Sequence, residues 1–185
     1  MPAYTDESRA RFDAQVLPHL DAAYRFARWL SRSAADADDI VQDAVLRAFR
    51  GFDAMRGGDA KAWLLTIVKN CCYTRMTQQQ RRSQVPLPEE HDLEDGHAMI
   101  SETPDPESES IRRDEQRVLE RLLALLPDEH REVLVLRELE DMDYRQIAAV
   151  TRVPIGTVMS RLARARAALK ASWQRETEGG SRAMR

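Results

Sequence analysis

The sequence predicts an all-α protein of two small helical domains joined by an acidic, flexible linker. Three observations lead there. Every clear hydrophobic period is helical, and no segment alternates as a half-buried strand does. Charge is unevenly spread: residues 1–82 hold 13 basic and 10 acidic groups, 83–111 hold none and nine, and 112–185 hold 15 and 12. Finally, two windows lack carboxylates altogether, residues 60–88 and 144–175, one in each basic segment. The slight overall acidity, 31 acidic against 28 basic residues, therefore belongs to the middle segment. That segment, "SQVPLPEEHDLEDGHAMISETPDPESESI", is rich in Pro, Ser and Glu and has no apolar stripe, which marks a tether. A solvated helix face usually mixes both signs, so a basic window on each side of an acidic tether suits a polyanionic partner.

The first helical period is carried by Phe12, Val16, Leu20, Ala23, Tyr24, Ala27 and Leu30, with Pro18 starting or kinking a helix. Ser33 and Asp36 have capping spacing and open a second helix. Its buried stripe is Ile40, Val41, Ala44, Val45, Ala48 and Phe49, which leaves Asp39, Gln42, Asp43 and Leu46 on another face. After the turn "RGFDAMRGGD", a third helix buries Trp63, Leu64, Ile67, Val68 and Cys71, with Lys69 and Tyr73 expected outward. Past the tether, Val118, Leu119, Leu122, Leu123 and Leu126 form a stripe ended by Pro127. The apolar residues of "DEHREVLVLREL" fall on several faces, so this helix is buried on more than one side or its inward face stays open.

The stretch "YRQIAAVTRVPIGTVMSRLARARAALKASWQR" reads as two helices broken at "TRVP", the first capped by Asp143 and Gln146. In the second, Val158, Leu162, Ala165 and Leu169 step along one buried face. The opposite face carries Gly156, Ser160, Ala163, Arg164 and Ala167, flanked by Thr157 and Arg161. Small residues let a backbone approach a groove floor, and arginine can read a guanine edge or neutralise a phosphate. The pattern fits a helix-turn-helix with its recognition helix; an ordinary basic helical hairpin is the plainer reading.

Composition excludes other classes. The longest mostly apolar run, "AWLLTIV", is too short to cross a bilayer, and the polar start is unlike a secretory signal, so a cytoplasmic protein without membrane insertion is expected. Adjacent Cys71 and Cys72 cannot staple distant segments, and no metal-ligand spacing, phosphate-cradling glycine loop or nucleophile–base set is present. No metal, no cofactor and no enzymatic activity are expected.

The segments "DADDIVQDAVLRAFRGFD", "AWLLTIVKN", "LPDEHREVLVLRELEDMDYRQIA" and "VPIGTVMSRLARARAAL", in that order, resemble the extracytoplasmic-function (ECF) sigma factors of bacterial RNA polymerase. The resemblance implies sigma region 2 over residues 9–82, the acidic linker over 83–111, region 4 over 112–175, and a tail over 176–185 whose Gly-Gly-Ser composition predicts no fixed structure. It implies a specificity subunit that binds core polymerase through its β′ and β subunits, recognises the −10 and −35 promoter elements, and is held by an anti-sigma factor. Asp39, Gln42, Asp43 and Leu46 match the positions that dock on β′. Phe52, Asp53, Arg56, Lys61, Asn70, Tyr73 and Arg75 match the −10 surface, where a base is flipped and a single strand held. Thr157, Met159, Ser160, Ala163 and Arg164 match the −35 reader, with Arg161 and Arg166 as phosphate or packing residues. Arg152 stands where the family often has Gly, leaving the turn geometry open, and Met159 stands where Lys or Arg is common. The competing reading is a stand-alone helix-turn-helix regulator, which would bind its operator tightly without polymerase.

Overall fold

The computed structural model describes residues 6–55, 57–83 and 118–183, with side chains described over 6–55, 57–81 and 118–176; the acidic linker lies outside the described residues. All described elements are helical. Helices α1 (Asp6–Gln15), α2 (Leu20–Ser31), α3 (Ala34–Gly51) and α4 (Ala60–Ser83) form an N-terminal unit. Helix α5 (118–124), α6 (Asp128–Glu138), α7 (Tyr144–Thr151) and α8 (Ile155–Ala183) form the C-terminal one.

Local chemistry sets the boundaries. Pro18 sits in the first turn of a 3-10 segment, Leu17–His19, that separates α1 from α2, because proline breaks the ladder of a continuing helix. Ser33 accepts a hydrogen bond from the Asp36 amide at 3.2 Å and starts α3, satisfying one orphan donor. Asp143 and Gln146 form a full capping box at the head of α7, with both reciprocal bonds at 2.8 Å. Arg152 ends α7 in the left-handed conformation, φ 59°, so the turn between α7 and α8 keeps its shape although a non-glycine residue must adopt it.

The expected stripes are inside at their centres, while Leu20, Tyr24, Val41, Val45, Phe49, Val118, Leu119 and Leu169 are only partly covered; Phe26, absent from the expected stripes, is fully buried. In α4 the burial is broader than one stripe. Leu64, Val68 and Cys71 are buried as expected, and Leu65, Lys69 and Cys72 are buried as well. Trp63 and Ile67, expected inward, are only partly covered. The second buried face exists because the C-terminal unit packs on it: α7 lies against α4 and α6 against α2. Buried apolar residues of both units form one continuous cluster. The same packing accounts for α6, whose residues 131–136 are all buried; neighbours surround it on more than one side. Helix α8 continues beyond Arg175 to Ala183, in contrast to the expected unstructured tail, and Arg121 pairs with Glu176 at 2.8 Å in that extension.

An L-residue in the left-handed region costs about 1–2 kcal/mol, against about 0.5–1 kcal/mol for glycine's extra chain entropy. Arg152→Gly should therefore raise the unfolding free energy by roughly 0.5 kcal/mol, read by urea titration followed by circular dichroism. A loss of stability would show that the arginine side chain itself supports the turn.

Candidate functional site

Three surfaces carry the residues singled out by the sequence. The first is a strip of α3. Asp39, Gln42, Asp43 and Leu46 are all exposed along it, and Leu46 keeps 55 % of its surface open. The α3 register produces this, since Ile40, Ala44 and Ala48 take the inward positions. Asp43 pairs with Arg47 at 2.7 Å, and Arg75 of α4 bridges Asp36 and Asp39 at 2.6 and 2.8 Å. An open leucine among fixed carboxylates suits a protein partner better than a phosphate backbone.

The second surface is the turn before α4 and α4 itself. Phe52 is 1 % exposed, in edge contact with Phe12 and Trp63, so it anchors the core and presents no face to a base; its assignment to DNA contact is corrected on that ground. Asp53 is exposed and accepts a bond from Ser8 at 3.0 Å. Arg56 lies outside the described residues. Gly57 and Gly58 have φ of 72° and 109°, conformations that glycine adopts freely. Asn70 is exposed, but Lys61, Tyr73 and Arg75 are engaged. Lys61 donates to the Glu140 backbone carbonyl at 2.7 Å and pairs with its carboxylate at 3.1 Å. The Tyr73 hydroxyl donates to Glu132 at 3.2 Å. Lys69, expected outward, is buried with its ammonium 3.9 Å from Glu132. Arg75 is held by the α3 carboxylates.

The third surface is the outer face of α8. Val158, Leu162 and Ala165 are buried, which turns Gly156, Met159, Ser160, Ala163, Arg164 and Ala167 outward. A Cβ added at Gly156 would meet nothing, so this face is open at its N-terminal end. Thr157 is half-buried at its margin. Arg161 pairs with Glu129 and Arg166 with Glu138. Arg164 is exposed and has no acidic partner among the described residues. Sequence spacing identified the face but not which of its arginines was available; that depends on Glu129 and Glu138 of a different helix.

The site's electrostatics centre on Glu132. Burial drives its carboxyl up to about 7, against the opposing pull of Lys69 and the Tyr73 hydroxyl. One of its oxygens lacks a hydrogen bond. Burial likewise lowers Lys69 and raises Tyr73. Cys71 and Cys72, both buried, are pushed up to about 11 and about 12 by the same desolvation, which keeps them as thiols at neutral pH. Among the described residues no metal-ligand cluster occurs, and no helix is long and apolar enough to cross a membrane.

Family models match both halves of the chain: sigma-70 region 2 over residues 16–82, and sigma-70 region 4 over 116–169. The chain is 36 % identical over 138 residues to the ECF RNA polymerase sigma-E factor of Escherichia coli K12, covering 72 % of each. The chain belongs to the ECF sigma factor family. It is also 33 % identical to the ECF sigma factor SigE of Mycolicibacterium smegmatis, over 86 % of this chain and 60 % of that one. Among solved structures it resembles the sigma factor RpoE of Bartonella quintana in complex with the anti-sigma factor NepR (TM-score 0.70, 28 % identity, 89 % and 97 % coverage). It also resembles CnrH in complex with the cytosolic domain of CnrY (TM-score 0.61, 25 % identity, 90 % and 89 % coverage). Promoter-directed initiation of transcription is thus the function of this sigma factor, and the stand-alone regulator is set aside, because both sigma regions stand in order on one chain. Sigma factors are non-enzymatic regulators of transcription.

Glu132 of this sigma factor faces Lys69, Tyr73, Glu129 and Arg161. With its folded value near 7, above the ordinary 4.5, the folded chain binds more protons than the unfolded one between those values. The associated stability is present at low pH and is lost as pH rises through 7. Relative to Glu132→Gln, the parent should lose stability between pH 5 and 8, measured by urea unfolding at each pH; parallel profiles would contradict this.

Proposed function

We propose how this sigma factor divides its work among the three surfaces. The α3 strip of Asp39, Gln42, Asp43 and Leu46 docks on the β′ subunit of core polymerase. The α4 surface, with Lys61, Asn70, Tyr73 and Arg75, holds the opened strand of the −10 element, assisted by Asp53 and Arg56 of the preceding turn. The outer face of α8 reads the −35 element: Thr157, Met159, Ser160 and Ala163 approach the groove, and Arg164 contacts a base edge. Arg161 and Arg166, already paired, serve packing and phosphate contact. The units act as region 2 (9–82) and region 4 (112–175). The chain works in the cytoplasm, and an anti-sigma factor is its inhibitor; the solved relative RpoE, bound to the anti-sigma factor NepR, supports that partner.

The observation that carries this reading is the α8 face itself. Small residues line it, a buried stripe lies beneath, and its exposed arginine is left without an acid. A carboxylate on that face would oppose the phosphate backbone, which gives the acid-free window a cause. Elements about 25 base pairs apart lie about 85 Å apart along B-DNA. A compact chain of this length has a radius of gyration of about 16 Å. The packed arrangement cannot touch both elements at once, so work at a promoter requires the two units to part.

Run-off transcription with core polymerase tests the assignment. Arg164→Ala should weaken −35-dependent initiation by roughly 1–3 kcal/mol, mostly on templates with the preferred base; equal loss on every template would assign it to a phosphate instead. Asp43→Arg should lower affinity for core polymerase without altering the fold, and unchanged affinity would remove it from the docking strip.

A further inference from the structure

The outer face of α8 is not uniform. Residues 155–160 include no charged side chain, and the first arginine of the helix is Arg161. Side chains four apart share one edge of a helix. Along one edge run Ile155, Met159 and Ala163, all exposed, with 41 % of Ile155 and 53 % of Met159 open. The arginine next on that side, Arg166, is taken by Glu138 at 2.6 Å. Along the other edge run Thr157, Arg161 and Arg164, of which Arg164 has no acidic partner among the described residues. Ser160, between the edges, donates its hydroxyl proton to the Thr157 carbonyl at 3.0 Å, so it offers a base only an acceptor oxygen. The reading face thus has a cationic edge and an apolar edge that carries no hydrogen-bond donor.

Two large apolar side chains lying open next to each other call for something to cover them. Charge names the cover. Residues 144–175 hold seven basic groups and no acid, which complements a duplex rather than an apolar protein surface. In the major groove thymine alone among the bases presents an apolar group, its 5-methyl. Guanine and adenine present acceptors there. Under Met159 those acceptors would give up water and meet no donor. Cytosine lacks the methyl. The pliable thioether of methionine moulds readily onto a small apolar group.

We propose that Met159, with Ile155 and Ala163 along the same edge, selects thymine in the −35 element by packing on its 5-methyl group, while Arg164 reads the other side of the groove. This deepens, and rests on, the assignment of the outer α8 face to that element. Four residues of helix rise about 6 Å, and neighbouring base pairs are about 3.4 Å apart. Ile155 and Met159 are therefore spaced to cover the methyls of two nearby thymines.

Core polymerase reconstituted with the full chain tests this on duplex promoter fragments randomised over both promoter elements, the bound fraction being sequenced. The parent should enrich thymine at one or two positions of the −35 element. Met159→Arg should exchange a selected thymine for guanine, whose edge suits arginine, and leave the other positions as they were. Deoxyuridine then tests the methyl alone, since it differs from thymidine only there. Uracil at the selected position should weaken binding by the parent about fourfold per methyl. Met159→Ala, weakened by a similar factor on the thymine duplex, should not respond to uracil. A parent indifferent to uracil at every selected thymine would overturn the proposal, as would equal uracil sensitivity in Met159→Ala. Unchanged base selection in both Met159 variants would overturn it too, and lost polymerase affinity in those variants would assign the apolar edge to a protein instead. The underlying assignment of the α8 face fails separately, if Arg164→Ala also leaves every −35 preference as it was.

Discussion

One buried carboxylate joins the two halves of this protein. Glu140 gives up its hydration entirely and receives Arg25 and Lys61 in exchange, one from α2 and one from α4. A charge in such a place is costly unless its partners are well placed, and apolar side chains of similar volume would often hold the units together more firmly. What an ionic joint adds is reversibility. It can be replaced by another anion of similar geometry. Glu132 adds a second condition, because its burial favours the protonated form against the pull of Lys69. The joint therefore responds to protons and polyanions, while the apolar cluster continuing across it supplies the general cohesion.

Much of this fold was legible in the sequence because its rules are local. Ser33 and Asp143 announce helix starts through capping geometry, Pro18 enforces a break, and the stripes of α3 and α8 repeat at helical spacing. What sequence could not decide depends on neighbours distant along the chain. Lys69 looks like an outward residue of α4 until α6 is placed against it; then it is buried beside Glu132. The aromatic Phe52, in a turn where a base-contacting residue would be sought, sits instead under Phe12 and Trp63. The tail after Arg175 has a composition that argues against helix, yet α8 propagates through it, since extending a helix is far easier than starting one. Arg152 shows the converse case: the turn shape persists and the residue bears the strain.

The acid-free windows acquire two separate meanings. Along α8 the window keeps carboxylates off an exposed face suited to duplex DNA, and among the described residues the acids that pair with its arginines, Glu129 and Glu138, both belong to α6. Along α4 the window leaves Lys61 and Lys69 to be neutralised by Glu140 and Glu132 of the opposite unit. The same emptiness thus serves an open face in one place and an internal partner in the other. The α3 strip differs from both, with its own acids fixed by Arg47 and Arg75 around an exposed Leu46.

The claim on which these relations converge is that the chain is closed when free and parted at work. Pulsed electron–electron resonance between spin labels on α1 and α8 measures it directly, with and without core polymerase. The account predicts a single short distance in the free chain and a distance longer by tens of ångströms once polymerase is added. The same distance in both states, or a broad long distribution in the free chain, would contradict it.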